Sequence, residues 1–248
     1  MSKQYATQYD KMTQMRVEKL VIQLGIPTTI SMLVTTFYNM ADTYFVGGQG
    51  TSATGAISII FTLMSVIQAL GFMLGHGSGS HISRLLGAKD TEKASDFAST
   101  AFYAAIISAV VLAAAGLIFL DPLMNLLGSS ETILPYARVY GSFILLATPA
   151  MMSSFVLNNV LRYEGHATLA MIGLLLGGLI NVVGDYVTTS WLGMGIEGVG
   201  ISTMLSNYVS LAILLSMFIR KKTLTRLPLR RVFRRRAERP LILSIILI

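Results

Sequence analysis

The chain contains no cysteine among its 248 residues. This absence excludes a disulfide framework, a thiolate metal site and a cysteine nucleophile. Charged residues are also scarce, at 12% of the chain, whereas a soluble globular domain has about 25%. So few charges cannot cover a water-facing body of this size, and the mean hydropathy of +0.65 agrees. The sequence therefore predicts a protein embedded in a lipid bilayer.

The apolar residues are concentrated in six long runs. A helix needs about 20 mostly apolar residues to cross a bilayer, and its backbone groups are satisfied within the segment. We therefore predict an all-α, polytopic membrane protein with a six-helix lobe over residues 20–219, whose spans are 20–46, 53–75, 97–120, 135–161, 168–190 and 199–219. Residues 1–19 lack the apolar core and cleavage site of a secretory signal, so we expect a retained cytoplasmic segment.

Basic residues mark one side of the predicted bundle. Of the 19 Lys and Arg residues, 18 lie in the N-terminal segment, the loops after the second and fourth spans, and residues 220–239; Arg138 is the exception. The positive-inside rule then places the N-terminus in the cytoplasm of a multi-pass protein of the plasma or inner membrane. The net charge of +7 could suggest nucleic acid. A basic juxtamembrane loop that contacts membrane lipid explains the charge instead, so we predict no nucleic-acid partner.

The C-terminal residues suggest that another helix begins. Residues 220–239 form a basic segment, which we interpret as a cytoplasmic linker. Pro240 then opens the apolar run LILSIILI, which ends at Ile248. Nine residues cannot cross a bilayer. We interpret residues 240–248 as the truncated start of a seventh helix, and a short anchor at the membrane interface is the alternative.

Two acidic residues, Asp42 and Asp185, fall within the apolar spans. Ionisable residues inside a membrane are costly and therefore mark candidate functional sites. Asn181 shares a helix face with Asp185, and Tyr38 and Asn39 share one with Asp42. Such oxygen-rich groups could bind a hard cation or a proton. The alternative is that both acids simply lie at the outer headgroup level.

Other features indicate packing or motion rather than catalysis. Pro27 in the first span and Pro149 in the fourth each remove a helical hydrogen bond, and we predict a hinge at Pro27. The glycine-rich run at residues 75–90 fits close helix approach better than nucleotide binding. No Ser–His triad or HExxH spacing is evident. We therefore expect no enzyme activity, no cofactor and no metal beyond a coupling cation.

Four segments of the chain resemble the multidrug and toxic compound extrusion (MATE) family, which belongs to a larger group that includes lipid-linked oligosaccharide flippases. The resemblance covers most of the chain from about residue 20 to residue 220. It is carried by IPTTISMLVTTFYNMADTYFVGGQG (26–50), the loop GSGSHISRLLGAKD (77–90), LRYEGHATLAMIGLLLGGLINVVGDY (161–186) and LGMGIEGVGISTMLS (192–206).

The resemblance implies one lobe of a twelve-helix transporter whose two lobes enclose a cleft. Such transporters export cationic or amphipathic organic compounds in exchange for Na⁺ or H⁺. A family cation site maps onto residues of the first, fifth and sixth spans, namely Asp42, Asn181, Asp185 and Thr203. Tyr38 and Asn158 match polar positions that line the cavity of the same lobe, and we add Asn39 to this cavity-lining set.

Only one lobe is present, so a C-terminal lobe or a second copy of the chain is an expected partner. The first hypothesis is a secondary antiporter for small organic cations, which works by alternating access. A lipid-linked oligosaccharide flippase is the second hypothesis, although no Lys or Arg lies deep in a span to form a basic cavity. A dimerising half-transporter or a non-transporting membrane scaffold is the third.

Overall fold

A computed structural model describes the backbone of residues 3–220 and 222–227, with side chains from residue 8 onwards. These residues form eight α-helices and no β-strand. The helices are α1 (Lys3–Gln14), α2 (Val17–Gly47), α3 (Thr51–Gly87), α4 (Thr91–Ile118), α5 (Leu120–Leu126), α6 (Leu134–Tyr163), α7 (Ala167–Tyr186) and α8 (Gly195–Ile219). A single π-helical turn, Val187–Trp191, continues α7.

Six of these helices are long and apolar enough to cross a membrane: α2, α3, α4, α6, α7 with its π-helical turn, and α8. The prediction of an all-α bundle of six spans is therefore confirmed, and the protein is a multi-pass membrane protein. Of the predicted linker at 220–239, the structure describes residues 220 and 222–227. The rest of that linker, and the predicted start of a seventh helix at 240–248, lie outside the described residues.

Helix α6 lies at the centre of the bundle. Most of its residues are buried against α3, α4, α7 and α8. Pro135 occupies the first turn, where its missing N–H costs nothing. Pro149 lies inside the helix, and α6 continues through it. By contrast, α2 lies at the periphery, where it packs mainly against α7 and leaves a long apolar face uncovered.

The second span is longer than its apolar run suggests. The sequence indicated a span ending near residue 75 followed by a loop over 77–90, but α3 continues to Gly87, so the loop prediction was wrong for most of that segment. The glycines explain the difference. A Cβ at Gly75 would lie 2.8 Å from the Asn159 amide nitrogen, and one at Gly79 only 2.0 Å from the Tyr163 ring. These glycines allow α6 to approach α3 closely rather than forming a turn.

Helix α4, which forms the third predicted span, begins at Thr91 rather than near residue 97. Asp90 is its N-cap, and the Asp90 carboxylate accepts a hydrogen bond of 3.0 Å from the backbone N–H of Lys93. This bond lowers the pKa of Asp90 below its ordinary value. Because α4 starts at Thr91, Asp96 becomes a buried helical residue. Helix α4 therefore contains a buried acid just before the predicted apolar span 97–120.

The bundle has two ends, which we name after two residues. The Glu164 end carries α1, the α3–α4 and α6–α7 turns, and residues 222–227. There the buried carboxylate of Glu164 accepts hydrogen bonds from the backbone N–H groups of Leu224 and Thr225, at 2.8 and 2.9 Å, and from the Thr225 hydroxyl. These bonds attach the start of the predicted linker to the bundle.

The Gln49 end carries the α2–α3 turn, α5 and the π-helical turn. Arg138, the one basic residue predicted near this end, forms a two-pronged ion pair with Asp121 beside α5. Both side chains are about half exposed. The pair therefore lies at the surface of the bundle rather than in its interior.

We predict that Gly75→Ala destabilises the protein by about 1–3 kcal/mol, because the new methyl group would overpack the α3–α6 contact at the buried side chain of Asn159. Gly25→Ala is the matched control. A Cβ there meets nothing within 4 Å, and alanine favours a helix over glycine by up to about 1 kcal/mol. Thermal unfolding in detergent would measure both. Equal midpoints for the two variants would contradict the packing role of Gly75.

Candidate cation site

Helices α2 and α7 bring the two predicted acids together. Asp42 lies in the last two turns of α2, and Asp185 is the penultimate residue of α7. Their side chains are almost completely buried, with 1% and 0% exposure. The two carboxyl groups lie adjacent to one another, on the Gln49 side of the bundle's middle. Protein therefore surrounds both acids, and their depth in a bilayer stays a prediction.

Hydroxyl groups from two further helices reach Asp42. The Tyr140 hydroxyl on α6 donates a hydrogen bond of 2.8 Å to Asp42 Oδ2. The Thr203 hydroxyl on α8 donates to the same oxygen at 3.3 Å. Asn181 on α7 completes the group, since its amide donates to Thr203 Oγ1 at 3.1 Å. Four helices therefore supply one connected polar cluster inside an apolar bundle.

The cluster retains four oxygen atoms without a hydrogen-bond partner: Asp42 Oδ1, Asn181 Oδ1 and both carboxylate oxygens of Asp185. Among the described residues, no Lys, Arg or His forms an ion pair with either carboxylate. An unpaired charge in so buried a position is costly. The arrangement thus requires positive charge from outside the protein, either as a bound cation or as protons.

The residue types define which ions suit the cluster. Carboxylate, amide and hydroxyl oxygens are the ligands of hard cations. Within the described residues there is no cluster of three or more His, Asp or Glu side chains that could hold a metal ion. Two acids with neutral oxygen ligands suit an ion of low charge, or a proton shared by the pair.

The backbone next to Asp185 is irregular. Immediately after α7 the chain forms the π-helical turn, and the Thr189 hydroxyl donates to the Asp185 carbonyl oxygen at 2.6 Å. Single π-helical turns are frequent at functional sites, because they rotate the neighbouring side chains. Trp191 ends this turn, and its ring lies 6.4 Å from the Tyr186 ring.

A small cavity of about 30 Å³ adjoins the cluster toward the Glu164 end. Tyr38 and Asn181 line it together with polar residues of α6 and α8, namely Ser154, Ser206, Asn207 and Ser210. This volume is enough for about two water molecules. Tyr38 lines this cavity, and its part in binding an exported compound stays a prediction.

Three predicted positions lie apart from this cavity in the described structure. The residues that line the cavity do not include Asn39 or Asn158. Asn39 is partly buried on α2, whereas the buried Asn158 amide donates to the Ala170 carbonyl oxygen at 2.8 Å and so joins α6 to α7. Helix α2 continues without interruption through Pro27. A hinge at Pro27 stays a prediction.

Sequence reasoning missed Tyr140. An aromatic residue near the start of an apolar run is usually a packing or interface residue, and nothing in its spacing links it to Asp42, 98 residues away. One feature of the sequence could have indicated Tyr140. It lies near the start of α6, two residues after Arg138, at the same end of the bundle at which the first and fifth spans carry their acids.

Comparison with known proteins shows to which family this sequence belongs. The sequence profile of the MatE family matches residues 27–187. The chain belongs to the MATE family. The multidrug export protein MepA of Staphylococcus haemolyticus is 30% identical over 204 residues, and the FAD transporter of Shewanella oneidensis is 28% identical over 201 residues. These alignments cover 82% and 79% of this chain, but 45% and 44% of the relatives.

Solved structures of MATE transporters have the same fold. A crystal structure of MATE in the bent conformation superposes with a TM-score of 0.88 at 28% identity, covering 99% of this chain and 53% of that one. A MOP superfamily transporter from Pyrococcus furiosus gives a TM-score of 0.86 at 29% identity, again with 99% and 53% coverage. The chain spans about half the length of the relatives it matches. Its bundle corresponds to the N-terminal lobe of a MATE transporter.

Tyr140→Phe tests the described hydrogen bond in this lobe of the MATE fold. The variant keeps the ring but removes the donor to Asp42, so we expect a loss of about 1–3 kcal/mol in unfolding free energy. Tyr44→Phe is the control, since Tyr44 lies two residues after Asp42 on α2 and is 79% exposed; its effect should stay within about 0.5 kcal/mol. Unfolding in detergent would measure both. A Tyr140→Phe variant as stable as the control would argue against this bond.

Proposed function

We propose that this chain is the cation-binding lobe of a secondary antiporter, which exports cationic or amphipathic organic compounds in exchange for Na⁺ or H⁺. The coupling ion binds between Asp42 and Asp185, with Asn181 and Thr203 as neutral oxygen ligands. Tyr140 orients Asp42 by its hydrogen bond. The lobe gains stability when the ion is bound, and this change couples ion entry to the movement that releases the exported compound.

The observation that carries this proposal is that the two buried acids have no basic partner among the described residues. Two adjacent carboxyl groups lie inside a membrane bundle, and no described side chain neutralises them. Ionisable residues in such positions commonly form ion pathways or proton relays. A purely structural role would not require two acids here, because apolar residues of similar size pack the same space at lower cost.

The export part of the proposal draws on the relatives. Two of them are described as a multidrug export protein and an FAD transporter, so the compounds named for the relatives differ. We assign the cationic class to this chain because the buried groups of the lobe that lack an ion-pair partner are acidic. The same feature argues against a flippase of lipid-linked oligosaccharides, which would need basic residues to hold a phosphorylated headgroup.

We place the Glu164 end in the cytoplasm, since the positive charges gather there.

A half-transporter that works as a pair of identical chains is the second candidate. The observation that favours it is coverage, since the chain spans about half the length of its relatives. Two six-helix lobes would then come from two copies. The mass of the chain in detergent separates the candidates: a dimer of twice 26.9 kDa supports the pair, and a monomer supports a lobe that needs a different partner.

Ion binding can be measured on the chain directly, because its single tryptophan is Trp191, six residues after Asp185. We predict that Na⁺ or a change in pH alters Trp191 fluorescence in a saturable manner. Asp42→Asn and Asp185→Asn should each abolish this response, because each removes one of the two charges. A response to Na⁺ at constant pH identifies sodium as the ion, whereas a response to pH alone identifies the proton.

Asp10→Asn is the matched control for these variants. It removes the same charge from an exposed position on α1, at the Glu164 end, and should leave the response unchanged. The proposal fails if the wild-type chain shows no response to either ion. It also fails if both acidic-site variants respond like the wild type.

A further inference from the structure

The N-terminus of α8 is capped by a residue from another part of the chain. Helix α8 begins at Gly195, and its own N-cap, Met194, provides no side-chain hydrogen bond. Instead, Gln49 in the α2–α3 turn accepts a hydrogen bond of 2.9 Å from the backbone N–H of Ile196 through Oε1. The first N–H groups of a helix need such external acceptors. Gln49 therefore connects the last residues of α2 to the first turn of α8.

The backbone at this contact is adapted to the glutamine. Gly195 has a φ of +62°, which favours glycine, and a Cβ there would lie 2.7 Å from Gln49 Oε1. Gln49 itself lies at the surface between two glycines, and one of them, Gly50, has a φ of +106°. The hydrogen bond is part-buried, but it joins an exposed turn with a glycine on each side of Gln49, so it can open without moving the core of the bundle.

The register of the two helices links this contact to the cation site. Gln49 follows Asp42 by seven residues, and Ile196 precedes Thr203 by seven. Asp42 and Thr203 are themselves joined by a hydrogen bond. Seven residues are about two helical turns, or roughly 10 Å. The Gln49–Ile196 bond thus lies about two turns beyond the Asp42–Thr203 bond along the same pair of chain segments.

An apolar layer separates the two bonds. Val46 lies four residues after Asp42, and Val199 lies four residues before Thr203, so each shares a helix face with its site residue. Both valines have 0% exposure. Toward the Gln49 end, the carboxylates are therefore followed first by buried valines and then by the Gln49 contact. Toward the Glu164 end, the small cavity lined by Tyr38 and Asn181 adjoins the site.

We propose that Gln49, Val46 and Val199 form a gate that closes the Gln49 end of the cation site, with Gln49 as its latch. When Gln49 releases the N–H of Ile196, the α2–α3 turn separates from α8 and the valine layer opens to water. Gln49 acts through the position of α8 and is a positioning residue, because it does not contact the ion. This gate deepens the proposed cation-binding function and rests on it.

Thiol chemistry tests the gate without any ion, because the chain has no cysteine of its own. Val199→Cys introduces one buried thiol behind the latch, and Val46→Cys offers an independent second position. The measurement is the rate at which a positively charged methanethiosulfonate modifies the thiol in detergent. We expect slow modification in either single-cysteine chain. Adding Gln49→Ala should raise the rate roughly fivefold, as expected for the loss of one hydrogen bond.

Gln49→Glu provides the rescue, because its carboxylate also accepts a bond from a helix N-terminus. It should restore the slow rate, because glutamate keeps both the acceptor and the size of the glutamine. Ala94→Cys, buried near the Glu164 end, reports general loosening of the bundle. Gln23→Ala, an exposed glutamine elsewhere on α2, is the matched control for the first substitution.

Equal thiol rates with and without Gln49→Ala at both valine positions would overturn the gate. So would a Gln49→Glu variant as fast as Gln49→Ala, or an equal acceleration at Ala94→Cys. These outcomes are independent of the cation, so they separate failure of the gate from failure of the proposed function. If the site binds an ion, saturating Na⁺ or low pH should also change the thiol rate in the wild-type background.

Discussion

The rest of this structure depends on two carboxyl groups that are buried together without a basic partner. In a bilayer, the cost of such burial is large enough that the surrounding helices must be arranged to lower it. Asp42 receives hydroxyl groups from Tyr140 and Thr203, while the carboxylate oxygens of Asp185 have no hydrogen-bond partner. This asymmetry distinguishes the two acids. Asp42 is held by two hydroxyl groups, whereas the carboxylate oxygens of Asp185 are available to the ion that we propose.

The bundle positions these groups by close helix packing rather than by loops. Helix α6 is the most buried of the six spanning helices, and it carries Tyr140, which holds Asp42 by a hydrogen bond. Glycines allow α7 to approach α8: a Cβ at Gly177 would lie 2.8 Å from the side chain of Ser210. Asp42 is the exception, because it lies on the peripheral helix α2, which has little buried surface. Movement of α2 relative to α7 would therefore change the site with the least disruption of the core.

The sequence was sufficient to predict the six spans and the acids, because both follow from local rules about hydropathy and charge. It was insufficient where a contact joins distant segments. Glu164 looks like an ordinary turn residue, yet residues 222–227 fold over it. The hydrogen bonds of Tyr140 and Gln49 could not be predicted, because they depend on how α6 and α8 pack beside α2. The glycine-rich run at residues 75–90 was expected to allow close helix approach, and Gly75 and Gly79 do so against α6. What the sequence did not show is that α3 continues through this run to Gly87.

The central claim is that Asp42 and Asp185 change their ionic state or their ligands when the coupling ion binds. Infrared difference spectroscopy of the purified chain observes carboxyl groups directly and requires no transport. The account predicts that Na⁺ or a pH step produces difference bands of protonated or ion-bound carboxyl groups, and that these bands disappear in Asp185→Asn. Carboxyl bands of the wild-type chain that stay unchanged by Na⁺ and by pH, or bands that persist in Asp185→Asn and Asp42→Asn alike, would contradict it.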